Sequence, residues 1–259
     1  MEIWQAVILG AVQGFAEFLP ISSSGHLILL QQWFGISENV VFYSVMLHVG
    51  TLIPVIVVLW RDILELFSKP FNKLWYLVLA TIPAGVVGLL SSLFFDLDAI
   101  FIDNLWLLGI TFLLTAGELL FAEIRCKKTP MNNLINVRTS LIMGAGQAVG
   151  VFPGQSRSGT TMMAGCLAKV HKSENASFTF LMSIPIILAA VFMEGLDVVR
   201  AGTLGNIDLF PLIIGIVTAM LCGYIAISFM LKIIKKANYK WFSLYLVGIS
   251  AATFITAFI

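Results

Sequence analysis

A polar, glycine-rich motif that occurs twice constrains this chain more than any other feature. Gly10 to His26 reads G-A-V-Q-G-F-A-E-F-L-P-I-S-S-S-G-H, and Gly144 to Thr160 reads G-A-G-Q-A-V-G-V-F-P-G-Q-S-R-S-G-T, at an offset of 134 residues. The positions that coincide without a gap include Gly10/Gly144, Ala11/Ala145, Gln13/Gln147, Phe18/Phe152, Ser24/Ser158 and Gly25/Gly159. The chain reads as a duplication whose copies diverge where charge appears. Each copy interrupts an apolar run, near residues 3–34 and 139–167, with Pro20 and Ser22 to Gly25 in one and Pro153-Gly154 and Ser156 to Gly159 in the other. Proline and glycine break a helix, and serine offers the backbone competing hydrogen bonds.

The surroundings of these motifs are hydrocarbon. With 59% apolar and 11% charged residues, a mean hydropathy of +0.98 and a net charge of only +1, the chain falls outside the range of soluble domains and carries no basic excess for nucleic acid. Apolar stretches at about 40–60, 74–95, 104–122, 175–196, 209–231 and 241–259 each approach the roughly 20 residues that cross a bilayer core. Trp4, Trp33, Trp60, Trp75, Trp106 and Trp241 fall near the predicted span ends, as an interfacial belt requires. The start, Met1-Glu2-Ile3-Trp4, lacks a basic region and a small-residue cleavage site, so no removable signal peptide is expected. Cys126, Cys166 and Cys222 are isolated in sequence and read as buried small hydrophobes, with neither a disulfide framework nor a metal cluster expected.

The two motifs do not fit the spanning pattern, and each is expected to be a re-entrant helix–loop–helix hairpin. Non-helical backbone at that depth is tolerated only inside protein or beside a wet cavity. The basic residues test the layout, because cytoplasmic loops collect Lys and Arg. Arg61, Lys69 and Lys73, then Arg125, Lys127, Lys128 and Arg138, then Lys169 and Lys172, then Lys232, Lys235, Lys236 and Lys240 put 13 of 15 basic residues on one side. Asp96, Asp98, Asp103, Asp197 and Asp208 mark the other, with Arg200 alone. That distribution closes only if the first motif enters from outside and the second from the cytoplasm. The expected fold is all-α and integral to the membrane: one domain over 1–259, six spanning helices plus two re-entrant hairpins, in an inverted-topology repeat of about 1–125 and 135–259. In such folds the broken helices meet near the midplane and build the site. The competing reading is a pair of kinked spanning helices, which leaves Arg157 and Glu17 without a purpose.

A charged side chain at mid-membrane costs roughly 2.5–3.5 kcal/mol even on the lenient scale, so Arg157 requires an anion. Glu17 is one candidate, as a structural ion pair; a phosphate is the other, matched by the planar, permanently charged guanidinium. Gly154, Ser156, Ser158, Gly159, Thr160 and Thr161 supply hydroxyls and N–H groups at an expected helix N-terminus, a setting for anion binding. In the first copy, Ser22, Ser23, Ser24 and Gly25 do the same at the start of a helix through about Trp33, with His26 in its first turn. Glu17, Ser23 and His26 can meet across the turn. Gln13 and Glu17, four apart, share a helix face. A carboxylate and an amide oxygen can hold Mg²⁺, which keeps several waters and takes substrate phosphates. His48 is a weaker candidate to line the cavity, core hydrogen bonding being the simpler explanation. Glu118 and Glu194 read as side chains snorkelling near helix ends.

These residues resemble the undecaprenyl-diphosphate phosphatases of the bacitracin-resistance type, over nearly the whole chain. The family's first signature is matched by Gln13-Gly14-Phe15-Ala16-Glu17, Pro20 and Ser22-Ser23-Ser24-Gly25-His26, and its second by Pro153-Gly154-Gln155-Ser156-Arg157-Ser158-Gly159-Thr160-Thr161. The resemblance implies hydrolysis of undecaprenyl diphosphate to the monophosphate, recycling a lipid carrier for cell-wall synthesis in the bacterial cytoplasmic (inner) membrane. It implies dependence on Mg²⁺ or Ca²⁺, with Glu17 the essential carboxylate, Arg157 the phosphate clamp, Ser23 and His26 the nucleophile or acid–base pair, and Ser156, Ser158 and Thr161 auxiliary donors. Many members carry Glu where this chain has Gln13, which leaves a two-carboxylate metal site one charge short and makes Gln13 a secondary ligand. Two routes stay open: attack by Ser23 with a phosphoserine intermediate, or attack by a metal-activated water.

The diphosphate alone must enter the polar centre, since an isoprenoid tail can stay in lipid beside the protein. The resemblance implies an opening to the outer face. A different function class, a carrier or flippase of a phosphorylated polyprenyl lipid, shares the inverted-repeat architecture. It needs Arg157 but has little use for a nucleophile and a base. Membrane lipid is the expected surrounding, and small-residue faces such as Gly85-Val86-Val87-Gly88 offer a homodimer contact.

Overall fold

The structure, a computed structural model, describes residues 1–36, 39–128, 130–201, 208–233 and 238–259, except for the side chains of Val198 and Ala201. Twelve helices follow in chain order among the described residues: α1 (Ile3–Phe18), α2 (Ser23–Trp33), α3 (Val40–Val58), α4 (Trp60–Leu66), α5 (Asn72–Phe94), α6 (Leu97–Asp103), α7 (Leu105–Lys128), α8 (Val137–Val149), α9 (Arg157–Leu167), α10 (Lys172–Ala201), α11 (Leu209–Ile233) and α12 (Lys240–Phe258). Six of them, α3, α5, α7, α10, α11 and α12, are long and apolar enough to cross a membrane. The chain is a multi-pass membrane protein, and these six match the six stretches read from sequence. The short helices α4 and α6 were not anticipated.

Both motifs fold as helix–turn–helix pairs, α1 with α2 and α8 with α9. At 1.5 Å per residue, an 11-residue helix such as α2 or α9 reaches about 17 Å, roughly half the hydrocarbon thickness. The break has the same local chemistry in each copy. Ser22 caps α2, its Oγ accepting the Gly25 N–H at 3.4 Å, and Ser156 caps α9, its Oγ accepting the Gly159 N–H at 3.1 Å. Ser22 Oγ lies 3.5 Å from Ser24 Oγ, and Ser156 Oγ lies 3.3 Å from Ser158 Oγ. Asn136 begins α8 with a reciprocal cap, Thr139 N–H to its side chain and its own N–H to Thr139 Oγ1.

The equivalent glycines Gly10 and Gly144 explain how the pairs dock. A β-carbon at Gly10 would run into the carbonyl of Gly215 on α11, and one at Gly144 would run into the carbonyl of Ala80 on α5. Only a residue without a side chain lets the backbones approach so closely. Helix α1 of the first half therefore lies on α11 of the second, while α8 of the second lies on α5 of the first. Pro54, Pro83 and Pro185 sit inside α3, α5 and α10, where neighbouring helices tolerate the interruption. All six tryptophans are exposed. Gly85 and Gly88 have open space beside them on α5.

One end of the molecule is tied by its backbone and by carboxylates near the basic segments. Asn133 and Val170 form a parallel bridge joining the α7–α8 connection to the α9–α10 turn. Glu123 Oε2 accepts the N–H groups of Tyr239 at 2.7 Å and Lys240 at 2.6 Å at the start of α12, and its Oε1 accepts Lys127 Nζ at 2.6 Å. Lys235 and Lys236, counted with this basic side, lie outside the described residues. Glu118 corrects another expectation: it stands in the middle of α7 with Oε2 buried and unpartnered, not near a helix end.

The cysteine reading also needs correction. Cys126 and Cys166 form a disulfide, with Cα atoms 5.7 Å apart across a sequence separation of 40, and Cys222 alone is free. Sequence spacing could not reveal the pair because packing of α7 on α9 creates the proximity. Closing a loop of that size restricts the unfolded chain by about 4 kcal/mol in the loop-entropy account. Reduction, or Cys126→Ser with Cys166→Ser, is expected to lower the melting temperature in detergent; an unchanged melting temperature after thiol counting confirms reduction would contradict this.

Candidate active site

The site forms where the two interrupted pairs touch. Glu17 lies in the last turn of α1, Ser23 opens α2 and Arg157 opens α9. Gly25 faces Gly154 so closely that a β-carbon would lie 2.7 Å from the Gly154 Cα, and Ser158 Oγ reaches the Leu19 carbonyl at 3.5 Å. The sequence-predicted residues of both copies thus share one centre, with N-termini of α2 and α9 both presented to it.

Glu17 is its hub and is 7% exposed. Its Oε1 pairs with Arg157 Nη2. Its Oε2 accepts Ser23 Oγ–H at 2.7 Å and Gln13 Nε2–H at 3.2 Å, and His48 Nε2 stands 3.3 Å away. Such a buried pair is held by mutual need, since removing one partner strands the other charge. His48, from α3, is thereby drawn into the centre; its Nδ1 donates to the Ser44 carbonyl at 2.7 Å. Gln31 Nε2 donates to Ser44 Oγ at 3.2 Å and lines a cavity of about 510 Å³ with Asp96, Glu194 and Asp197. A polar chain therefore runs from that acidic cavity through Ser44 and His48 to Glu17. Burial pushes the carboxyl of Asp98, on α6, above the usual range, with Asp96 adding to the shift.

Not every expected contact forms. His26 does not bond Ser23: its Nδ1 donates to the Ser22 carbonyl at 2.7 Å and its Nε2 accepts the Tyr245 hydroxyl at 2.8 Å. Carboxylate and hydroxyl meet as the spacing suggested, while the imidazole turns toward α12. Ser22 holds φ +69, in the region that non-glycine residues avoid at a cost of order 1 kcal/mol, and its carbonyl receives the His26 ring there. In the second motif, Thr161 Oγ1 is buried without a partner, and Thr160 Oγ1 donates to the helix backbone. Thr115 of α7 organises the turn before Arg157: its hydroxyl donates to Gln155 Oε1 at 2.6 Å and accepts the Ser156 N–H at 3.2 Å. Gly154 has φ +81, and a side chain there would strike Thr111.

A divalent cation can be tested against this donor set. Gln13 Oε1 is buried and unpartnered, one turn from Glu17. A hard amide oxygen beside a carboxylate suits Mg²⁺ or Ca²⁺ when waters and phosphate oxygens complete the shell. Among the described residues no three His, Cys, Asp or Glu side chains cluster as a self-sufficient metal site. The residues fit an ion held jointly by protein and substrate.

A helical membrane protein with two facing helix N-termini, a buried Arg–Glu pair and a serine on the carboxylate has the features of a membrane phosphate-handling protein. The profile of the family described as bacitracin resistance protein BacA matches residues 6–252, and the chain belongs to that family. It is 39% identical over 249 residues to an undecaprenyl-diphosphatase of Carboxydothermus hydrogenoformans, covering 95% of this chain and 94% of that protein. It is 36% identical over 259 residues to an undecaprenyl-diphosphatase of Moorella thermoacetica, covering 97% and 96%. It is also 34% identical to undecaprenyl-diphosphatase 1 of Pseudoalteromonas translucida over 272 residues, covering 99% and 100%.

Thr115 and Tyr245 escaped the sequence reading. Each is one of several polar residues in an apolar spanning helix, where a threonine usually bonds its own backbone and a tyrosine usually marks the interface.

Proposed function

We infer that this chain is an undecaprenyl-diphosphatase, hydrolysing undecaprenyl diphosphate to undecaprenyl phosphate and inorganic phosphate. The observation that carries the chemistry is Ser23 Oγ donating to a carboxylate that is itself held by Arg157. Phosphoryl transfer depends on positioning and on neutralising charge over the equatorial oxygens. In the resting site Glu17 stands where that charge will come. When the diphosphate enters, Arg157 turns its fork to the phosphate, and Glu17 is freed to accept the Ser23 proton. Ser23 Oγ then attacks the terminal phosphorus, the bond to the bridging oxygen breaks, and undecaprenyl phosphate leaves with that oxygen and the proton from Glu17. Water next cleaves the phosphoserine, giving inorganic phosphate and returning a proton to Ser23 Oγ. His26 Nε2, which accepts the Tyr245 hydroxyl at rest, is an acceptor for that step once the hydroxyl turns away from it.

Ser22, Ser24, Ser156, Ser158, Thr161 and the N–H of Gly154 are the phosphate donors in this reading, while the Gly159 N–H is taken by the Ser156 cap and Gly159 serves by leaving the approach open. Gln13 and Glu17 would hold Mg²⁺ or Ca²⁺, and Gln13 Oε1 supports this by being buried with no other partner. Bound there, the cation neutralises phosphate oxygens as a Lewis acid.

We read the halves, about 1–125 and 135–259, as an inverted repeat with both pairs re-entrant, on the matched caps and matched glycine contacts described above. In that arrangement the basic ends face the cytoplasm of a bacterial inner membrane and the site takes carrier lipid from the outer face. Recycling the carrier supplies cell-wall synthesis, and the same activity accounts for bacitracin resistance. The carrier or flippase alternative explains Arg157 but leaves the Ser23–Glu17 bond without a task. Phosphate release from undecaprenyl diphosphate by the protein in detergent tests the choice, since transport is absent there. Release that stops on chelation and returns with Mg²⁺ or Ca²⁺ is expected; binding without release would overturn the reading.

A further inference from the structure

We propose that Tyr245 is a positioning residue for the reaction, holding His26 in one tautomer and one orientation. The proposal rests on the phosphatase reading, because Tyr245 acts through a residue of that site. His26 is 6% exposed, and its Nδ1 lies 2.7 Å from the Ser22 carbonyl. A carbonyl only accepts, so Nδ1 carries the proton and, in the neutral ring, Nε2 carries the lone pair. The Tyr245 hydroxyl, 2.8 Å away, donates to that lone pair. The two rings are nearly parallel, 6° apart with centroids 5.6 Å apart, and Phe112 meets the imidazole edge-on at 5.2 Å. Hydrogen bonds at both nitrogens and aromatic contacts on the ring fix the side chain completely.

The groups facing His26 are Tyr245 from α12, Phe112 from α7 and the Ser22 carbonyl from its own chain segment. Among the described residues no charged side chain hydrogen-bonds or ion-pairs with the ring; Glu17 and Arg157 are engaged with each other. A tyrosine of an interfacial belt points its hydroxyl to headgroups and water. Tyr245, though 44% exposed, points its hydroxyl into the molecule instead. Helix α2 has a second tie to α12, Trp33 Nε1–H to Thr256 Oγ1 at 3.0 Å, so the helices stay joined without the hydroxyl. Until water enters for the hydrolytic half, the Tyr245 hydroxyl covers the Nε2 lone pair and keeps the ring neutral; when that hydroxyl turns to the water, Nε2 is oriented to accept its proton.

Tyr245→Phe keeps the ring stack and removes only the donor. Phosphate release is expected to show kcat lowered about tenfold with KM changed less than about twofold, a part of the 10²–10⁴ range of an acid–base group. Loss of the donor makes Nε2 easier to protonate, so the acid limb of the kcat profile moves to higher pH. The double variant with His26→Ala should be no slower than His26→Ala alone, because the two residues act as one unit. A Tyr245→Phe enzyme with wild-type kcat and an unmoved acid limb, or losses that multiply in the double variant, would overturn the proposal. A wild-type protein that releases no phosphate would instead sink the phosphatase reading on which it stands.

Discussion

Replacing Arg157 by alanine is expected to lower phosphate release by at least about 10³-fold, the largest effect of any single substitution in the second motif. Removing one preorganised donor from a charged transition state costs 10²–10³-fold, and Arg157 supplies both donors and charge. The same substitution has a second cost, because Glu17 is left buried without its counter-ion, and breaking such a pair destabilises by about 3–5 kcal/mol. The two effects separate in a pair of controls. Arg157→Lys keeps the charge but loses the planar fork, and should retain the fold with activity reduced about a hundredfold. Glu17→Gln combined with Arg157→Met removes both charges, and should recover much of the melting temperature while remaining inactive. Phosphate release and thermal unfolding in detergent, measured together, check all three. Arg157→Ala within tenfold of wild-type activity would remove the guanidinium from the mechanism.

Most of this site was legible because its chemistry conflicts with its surroundings. A proline, a run of serines and an arginine have no business in apolar segments unless they end a helix or meet an anion, and Ser22, Ser156 and Arg157 do so in the structure. Spans were legible for the complementary reason: length and apolarity are the requirement for crossing a bilayer. What could not be read was partnership across helices. Cys126 and Cys166 are 40 residues apart and look solitary until α7 packs on α9. Glu17 and His26 looked like partners of one serine, yet the imidazole is claimed by Tyr245, which is 219 residues away. His48 carried a correct hint in its position after the first motif, but nothing local showed that its Nε2 faces Glu17. Periodicity reports what a residue is; it does not report which helix will stand opposite.

The resting contacts around Glu17 also determine how the reaction begins, and Ser23→Ala tests that beginning. Ser23 Oγ is 2.7 Å from the carboxylate that can take its proton, whereas Ser22 Oγ accepts the Gly25 N–H and Ser24 Oγ lies 3.5 Å from Ser22 Oγ. One serine of three is therefore poised to attack. Ser23→Ala is expected to abolish release by about 10³-fold or more, while Ser22→Ala and Ser24→Ala, which remove a cap and a phosphate donor, lose about tenfold each. Quenching the wild-type enzyme during turnover of undecaprenyl diphosphate labelled at its terminal phosphate should place the label on the peptide containing Ser23, and Glu17→Gln should prevent its appearance by removing the proton acceptor. Ser23→Ala retaining most activity, with no label trapped in the wild type, would exclude the covalent route and shift the attack to a water beside Glu17. Arg157 would keep its role in that case, because the charge it neutralises on the phosphate is the same whichever oxygen attacks.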